Sequence, residues 1–222
     1  MEEQIWNLLK EHGSPLLVPK GTAITGIAAK YSADMLFFLS DGIAALTSIT
    51  KSGEEKVYLY FHAPRLIGFN RHFNRAKERA IAEPEFFNMA KTDCTLYQIS
   101  FPAFMKLLQD SPELNTLFIK TIANNCTEAL SHFHFSQEES AIVRLCHLLL
   151  EVSQPYKNKM VVPKFYSYAE LARYLGCHPI TVSRIMPRLK EAGYIRKEAM
   201  GIVIENPDGL VHIIESESKF KY

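Results

Sequence analysis

The stretch from residue 167 to 195 constrains this chain more than any other, because it predicts two short helices joined by a tight turn. Ser167, followed three residues later by Glu170, has the spacing of a capping box that opens a helix. Gly176 suits the turn because glycine reaches positive φ without a Cβ clash, and Pro179 is favoured at the first position of a helix. Apolar residues at three- and four-residue spacing give each helix one buried face: Leu171, Leu175, Val182, Ile185 and Leu189.

The face that this pattern leaves exposed on the second helix is polar and basic. It consists of His178, Pro179, Ile180, Thr181, Ser183, Arg184 and Arg188. A guanidinium can bond two acceptors of guanine in a DNA major groove, and small hydroxyl groups reach bases or phosphates there. Residues 164–197 contain seven Lys and Arg but two acidic residues, although the whole chain carries only +1. The segment therefore predicts a helix-turn-helix that binds duplex DNA; the alternative is a helical hairpin with a solvated basic face.

Composition excludes several classes of protein. The chain has 222 residues, of which 47% are apolar and 22% charged, values that are ordinary for a globular protein of one or two domains. It contains no apolar run of about 18 residues, so we expect no membrane-spanning helix. Its acidic, amphipathic start does not have the pattern of a secretory signal.

The four cysteines, Cys94, Cys126, Cys146 and Cys177, are scattered and include no CxxC pair. Zinc and iron–sulfur sites need clustered thiols, so the sequence predicts no metal and no cofactor. Isolated cysteines are typical of a reducing compartment, and we expect mostly buried thiols in the cytoplasm. A redox-sensing role for one of them is the alternative.

The first half of the chain has the sequence pattern of a β-rich domain. Residues 1–12 predict a short amphipathic helix, and between residues 16 and 99 short β-forming segments alternate with turn residues. Strands at a spacing of about eight to twelve residues predict an antiparallel sandwich or a barrel-like domain. We assign residues 1–110 to this domain.

A long helix is expected next, over residues 111–135. Its apolar stripe is too wide for one neighbour, so we expect one edge to pack on the β domain and the other on a second copy of the chain. The predicted homodimer contacts are Leu114, Phe118, Ile122, Ala129 and Phe133. The alternative is a core helix in a monomer.

The C-terminal domain is predicted over residues 136–222. Ser136 and Glu139 have the spacing of a capping box that opens its first helix. Residues 154–159 are expected to form a polar connection.

A hairpin is predicted after the two helices, from residues 195–198 and 202–205. This wing would carry Arg196 and Lys197 toward the phosphate backbone of DNA. A last helix is expected to begin at residues 206–207 and to end near Ile214.

This order of elements resembles the Crp/Fnr superfamily of bacterial transcription regulators. The residues that carry the resemblance are FFLSDGIAALTSITKSGEEKVYLYFHAPRLIGF at 37–69 and ELARYLGCHPITVSRIMPRLKEAGYI at 170–195, and it extends over about residues 16–214. It implies an α+β fold: an N-terminal antiparallel β-roll (a jelly roll like cyclic-nucleotide-binding domains), a long dimerisation helix and a C-terminal winged helix-turn-helix. It also implies a homodimer on inverted-repeat DNA, with RNA polymerase as a further partner and a small effector in the β-roll.

Two departures from the family pattern restrict the effector. Members that bind cyclic nucleotides follow the glycine of the roll with a glutamate and later place an Arg-Ser or Arg-Thr pair. Here Gly68 is followed by Phe69, and the nearest candidate for the pair is Arg79 before an alanine. The oxygen sensors of the family use an N-terminal cysteine cluster, whereas the first cysteine here is Cys94. We therefore expect neither a cyclic nucleotide nor an iron–sulfur cluster.

The chain is more similar to the halorespiration regulators of this family, which bind chlorinated aromatic acids. Aromatic and cationic residues around Gly68 predict an anionic, partly apolar effector, because a guanidinium pairs with a carboxylate or phosphate. The predicted effector-binding residues are Tyr58, Tyr60, Arg65, Gly68, Phe69, Arg71 and Arg79. The alternative is a solvated basic loop that binds no effector.

The family positions that contact bases correspond here to His178, Ile180, Ser183 and Arg184. Isoleucine can touch only a thymine methyl group, so the resemblance predicts a half-site richer in A/T, with Arg184 recognising guanine. Pro187 lies well inside the second helix and lacks the N–H that would bond to Ser183. We expect a kink or a tightened turn there.

Other functions have weaker support. The motifs HExxH, GxSxG, GxGxxG and the P-loop are absent, and His132 and His134, two residues apart, do not share a helix face. We therefore expect no enzyme. A haem- or redox-sensing regulator and a winged helix that binds protein instead of DNA are the alternatives.

Overall fold

A computed structural model describes residues 2–26, 29, 31, 34–51, 53–73 and 85–216 of the chain. The chain divides into two compact units, Met1–Leu130 (unit 1) and Ser131–Tyr222 (unit 2). Both units combine helices with antiparallel sheet, as the sequence predicts. Among the described residues, no helix is both long enough and apolar enough to cross a membrane.

Unit 1 contains the predicted β domain. Its elements are α1 (Glu2–His12), β1 (Ser14–Val18), β2 (Met35–Asp41), β3 (Ile43–Ile49), β4 (Glu55–His62), β5 (Arg65–Ile67), α2 (Asn70–Phe73), β6 (Phe87–Ala90), β7 (Cys94–Ser100), α3 (Phe101–Asp110) and α4 (Pro112–Glu138), the last of which continues into unit 2. One sheet has the strand order β1-β7-β2-β5 and the other has the order β4-β3-β6.

The first of these sheets lies between the second sheet and a layer of helices. Leu36 and Phe38 on β2 belong to a core with α1, α3 and α4, and Phe37 and Leu39 belong to a core with β3, β4 and β6. Successive side chains of a strand point to opposite faces, so β2 is buried on both sides. This burial explains why its sequence is continuously apolar instead of alternating.

Helix α4 buries one apolar stripe in unit 1. Leu114 and Phe118 are 0% and 5% exposed within the helix-side core. The ring of Phe118 lies 5.1 Å from that of Phe69 and 5.3 Å from that of Phe104. The prediction that Leu114 and Phe118 contact a second copy is therefore wrong, because their own unit already encloses both side chains.

The other side of α4 keeps an exposed apolar stripe, the α4 stripe. Its large members are 43% to 64% exposed. The members are Ile119, Ile122, Cys126, Ala129, Leu130 and Phe133. Their separation by three and four residues is that of a helix-pairing seam.

Unit 2 begins with the end of α4. Its other elements are α5 (Ala141–Glu151), β8 (Gln154–Tyr156), β9 (Lys159–Pro163), α6 (Tyr168–Leu175), α7 (Pro179–Glu191), β10 (Ile195–Glu198), β11 (Gly201–Ile204) and α8 (Pro207–Glu215). The strands form one antiparallel sheet in the order β10-β11-β9-β8. The predicted wing hairpin and last helix are confirmed.

Two sequence predictions fail in unit 2. Ser136 does not open a helix: its hydroxyl donates to the carbonyl oxygen of Phe133 at 2.7 Å inside α4, and the next helix begins after Ser140. The predicted polar connection is a hairpin of β8 and β9, whose turn holds Lys157 and Asn158 at φ values of 43° and 61°. Two residues at positive φ match the right-handed twist of paired strands.

Candidate nucleic-acid interface

The turn between α6 and α7 is built by its own sequence. The Ser167 hydroxyl oxygen accepts the N–H of Glu170 at 3.2 Å and caps α6. Gly176 ends the helix at φ 62° and ψ 32°, in the left-handed region that glycine enters without strain. Pro179 then starts α7, so the predicted helix-turn-helix is confirmed at each of these signals.

Side chains of α4 and α5 hold the C-terminal end of α6. The last carbonyl groups of a helix lack partners inside the helix. His132 Nε2 donates to the carbonyl oxygen of Tyr174 at 2.9 Å and its ring stacks on Tyr174, and Arg144 donates to the carbonyl oxygen of Leu175 at 2.8 Å. These bonds fix the end of α6, and therefore the direction in which α7 leaves the turn.

Helix α7 presents the predicted outer face to solvent. Val182, Ile185, Met186 and Leu189 are buried, whereas the outer residues are exposed, apart from the partly buried Thr181. The exposed set is His178, Pro179, Ile180, Ser183, Arg184 and Arg188. The helix is continuous α-helix from Pro179 to Glu191, so the turn does not tighten at Pro187.

Ion pairs reduce the charge of this surface unevenly. Arg173 pairs with the carboxylate of Glu170 on α6. In the part of the chain that the structure describes, Arg184 and Arg188 have no ion-pair partner, so their guanidinium groups remain available to phosphate or guanine.

The two predicted wing cations differ in their surroundings. Arg196 pairs at 2.7 Å with Glu205 and at 2.7 Å with Glu198, and these carboxylates, Glu205 first, raise its pKa. Glu198 also pairs with Lys159 at 3.1 Å. Lys197 instead lies 5.8 Å from the centre of the Tyr168 ring. Two carboxylates thus already offset the positive charge of Arg196. Lys197 lies against an uncharged ring, so its ammonium group can pair with a phosphate of a nucleic acid.

Comparisons with known proteins identify this domain. Residues 143–213 match the model of the Crp-like helix-turn-helix domain. The chain is 25% identical to the probable transcriptional regulator Flp of Lacticaseibacillus casei, over 87% of this chain and 84% of that protein. It is 21% identical to the cAMP-activated global transcriptional regulator CRP of Haemophilus influenzae, over 81% of this chain and 80% of that protein.

The Crp-like helix-turn-helix domain and the similarity to Flp and CRP over most of the chain support a Crp/Fnr superfamily regulator. A solved structure of CprK in complex with OCPA superposes with a TM-score of 0.68 at 17% identity, covering 94% of this chain and 93% of that one. At that identity the likeness shows the fold. As a Crp/Fnr-type protein, the chain is a DNA-binding transcription regulator.

Unit 1 contains a cavity of about 520 Å³. The predicted residues Gly68 and Arg71 line it. Its other described walls are Thr25, Gly26, Ala29, Tyr31, Leu46, Asn70, Glu85, Phe86 and Asn88. Gly68 has φ +81°, and a Cβ there would lie 3.0 Å from Thr25 Cγ2.

Sequence reasoning missed most of this lining. Thr25 and Asn88 are 63 residues apart, yet the Thr25 hydroxyl donates to Asn88 Oδ1 at 3.1 Å and accepts the Asn88 N–H at 2.8 Å. Among the lining residues that the sequence analysis did not name, Asn70 had a local signal, because it is adjacent to Arg71. The others come from segments that only the fold brings together.

Two predicted effector residues face α4 and not the cavity. Phe69 is 5% exposed in the helix-side core. Arg65 donates to Asn125 Oδ1 at 2.5 Å and to both carboxylate oxygens of Glu128, at 2.9 and 3.0 Å. Neither side chain therefore lines the cavity, and an effector contact of Phe69 or Arg65 stays a prediction.

The other predicted effector residues, Tyr58, Tyr60 and Arg79, are not among the described walls of the cavity. Tyr60 is 7% exposed, and the Tyr58 hydroxyl lies 3.1 Å from Ser48 Oγ, so both tyrosines are part of the β domain's packing and neither lines the cavity. Arg79 lies outside the described residues. Burial, and then the Arg65 charge, lower the pKa of His62.

All four cysteines are free thiols. The described part of the chain contains no group of three or more His, Cys, Asp or Glu that could hold a metal ion. Burial raises the pKa of Cys94 and Cys177, and raises that of Cys146 to about 12. Cys126 is exposed within the α4 stripe.

Proposed function

We propose that this chain binds an inverted-repeat operator as a homodimer and controls transcription in response to a small effector that is not a cyclic nucleotide. The observation that carries the proposal is the outer face of α7, where Ser183, Arg184 and Arg188 are exposed beside Ile180. This face has the residue types that contact base edges in a major groove. RNA polymerase is the expected protein partner at a promoter.

The α4 stripe supports the homodimer. Ile122, Ala129 and Phe133 were predicted to contact a second copy and are exposed, and Ile119, Cys126 and Leu130 extend the same seam. A large apolar patch on a helix costs free energy in water, and a second copy of the same helix covers it with matching spacing.

The cavity of unit 1 supports a small effector. Tyr31 and Phe86 supply aromatic surface, and Arg71 supplies a guanidinium that pairs with a carboxylate or phosphate. Phe69 follows Gly68 in place of glutamate, which argues against the ribose contact of cyclic-nucleotide members. An anionic, partly aromatic molecule fits this lining best.

The first test is selection of bound duplexes from a random DNA pool by the purified protein, without added effector. We expect enrichment of an inverted repeat whose half-sites lie about 10 base pairs apart, centre to centre. The Arg184→Ala variant, run in parallel, is expected to enrich a more degenerate half-site.

A pool that stays random leads to a second selection in the presence of aromatic acids. Enrichment only then would identify an effector-dependent regulator. A pool that stays random under both conditions would contradict DNA recognition and favour a winged helix that binds protein.

A further inference from the structure

The cavity of unit 1 has charges of both signs in its wall, because Arg71 and Glu85 both line it. In the part of the chain that the structure describes, the Arg71 guanidinium forms no ion pair, either with Glu85 or with another acid. Glu85 Oε1 lies 3.2 Å from the position that a Cβ of Gly26 would occupy. A cation and an anion that share one cavity without pairing with each other are spaced for a ligand that carries both charges.

A buried amide adds a hydrogen-bond donor to this wall. Asn88 is 5% exposed and lines the cavity. Its Oδ1 accepts the hydroxyl of Thr25, which fixes the orientation of the amide. Among the described residues, Asn88 Nδ2 has no hydrogen-bond partner. A buried donor without a partner costs free energy, so an acceptor on a ligand is favoured there.

The remaining wall supplies aromatic surface of a suitable size. Tyr31 and Phe86 line the same space, and the Phe86 ring, which is 50% exposed, packs edge-on against Tyr58 at 5.0 Å. The cavity volume of about 520 Å³ falls within the range of about 300–1,000 Å³ that is usual for small-molecule sites.

Glu85 discriminates between two classes of ligand. A plain aromatic acid or a phosphate brings only negative charge, which the Glu85 carboxylate repels. A ligand that also carries an ammonium group turns this repulsion into attraction. Glu85 interacts with another group of the chain, but a carboxylate has about four lone-pair sites and can accept further donors.

We propose that the effector of this cavity is an α-amino acid with an aromatic side chain. Arg71 and Asn88 Nδ2 hold its carboxylate, and Glu85 holds its ammonium group. Tyr31 and Phe86 contact its ring. This inference rests on the proposed control by a small effector, and it narrows the anionic, partly aromatic ligand to a zwitterion.

Calorimetric titration of the full chain tests the charge pattern. Phenylalanine, tyrosine and tryptophan are each compared with the acid that lacks only the ammonium group, such as 3-phenylpropionate for phenylalanine. We expect at least one amino acid to bind about tenfold or more tightly than its deaminated acid. Glu85→Gln should remove most of this preference. Glu54→Gln, the same change at an exposed position outside the cavity wall, should keep it.

Three results would overturn the inference. If the deaminated acids bind as tightly as the amino acids, the effector is a plain anion, and the proposed function stands without the zwitterion. A preference that survives in Glu85→Gln would refute the ammonium contact of Glu85. If no compound of either series binds, the aromatic effector of the proposed function fails as well, whereas the selection of bound duplexes tests DNA recognition independently.

Discussion

Phe133→Asp should dissociate the homodimer without unfolding the chain. Phe133 is 64% exposed in the α4 stripe, so pairing with a second copy would remove most of its ring from water. Full burial of such a side chain contributes about 1.5–3 kcal/mol, and the exposed part therefore contributes roughly 1–2 kcal/mol per copy. Two copies in a symmetric interface give about 2–4 kcal/mol.

A loss of that size raises the dimer dissociation constant by about 30- to 1,000-fold, and the two facing carboxylates add repulsion. Sedimentation velocity over a range of protein concentrations measures the shift toward monomer. Asn124→Asp is the matched control, because Asn124 is exposed on α4 outside the stripe and the substitution adds the same charge. This variant should remain dimeric.

Phe118→Ala separates packing from assembly on the same helix. Phe118 is enclosed by unit 1, so its truncation should lower the free energy of unfolding by about 3–5 kcal/mol. The protein that remains folded should dimerise like the parent. A Phe133→Asp protein that stays as tightly dimeric as the parent would refute the assignment of the α4 stripe as the interface.

Three further predictions concern DNA binding by unit 2 and the pH dependence of the free energy of unfolding. Arg184→Ala should cost roughly 1–3 kcal/mol on the selected operator and flatten the preference among half-sites; equal losses on specific and random DNA would make it a backbone contact. When DNA affinity is measured against salt concentration, Lys197→Ala should reduce the steepness of the plot of log affinity against log salt by about 0.9. Arg196→Ala should leave this slope nearly unchanged, because Glu198 and Glu205 already pair with the arginine. Burial lowers the pKa of His62 and His147 below the ordinary 6.5, so the unfolded chain takes up protons first. The free energy of unfolding should therefore fall as the pH drops below about 6.5. Denaturant titrations of a His62→Asn/His147→Asn double variant should show a smaller fall in the free energy of unfolding over the same pH range.

The helix-turn-helix was predictable because its signals are local. A cap at Ser167, a left-handed turn at Gly176 and a proline at 179 each act within one or two helical turns. The apolar spacing then decides which face is buried, and the outer face of α7 is what remains. The same reasoning failed at Ser136, where a hydroxyl bond to the preceding turn competes with the cap geometry and lets α4 continue.

The surroundings of α4 and the cavity walls were not predictable from local patterns. Phe118 and Phe133 are equally apolar, and no periodicity tells which stripe meets the β domain and which remains exposed. Thr25 and Asn88 meet because the segment at Ala23 pairs with Met89 of β6. Arg65 had the right charge for an effector, but the acid that pairs with it, Glu128, lies on another element.

The segment around Gly68 contacts both the cavity and helix α4, which carries the α4 stripe. Gly68 lines the cavity, while Phe69 beside it packs on Phe118 of α4 and Arg65 just before it pairs with Glu128 of α4. A ligand that shifts the backbone at Gly68 must therefore strain or move contacts to α4 on both sides. Since α4 also carries the exposed stripe, effector binding and dimer formation would act on one helix. Thermodynamic linkage then requires the effect to be mutual: whatever factor the effector adds to dimer affinity, the dimer adds to effector affinity.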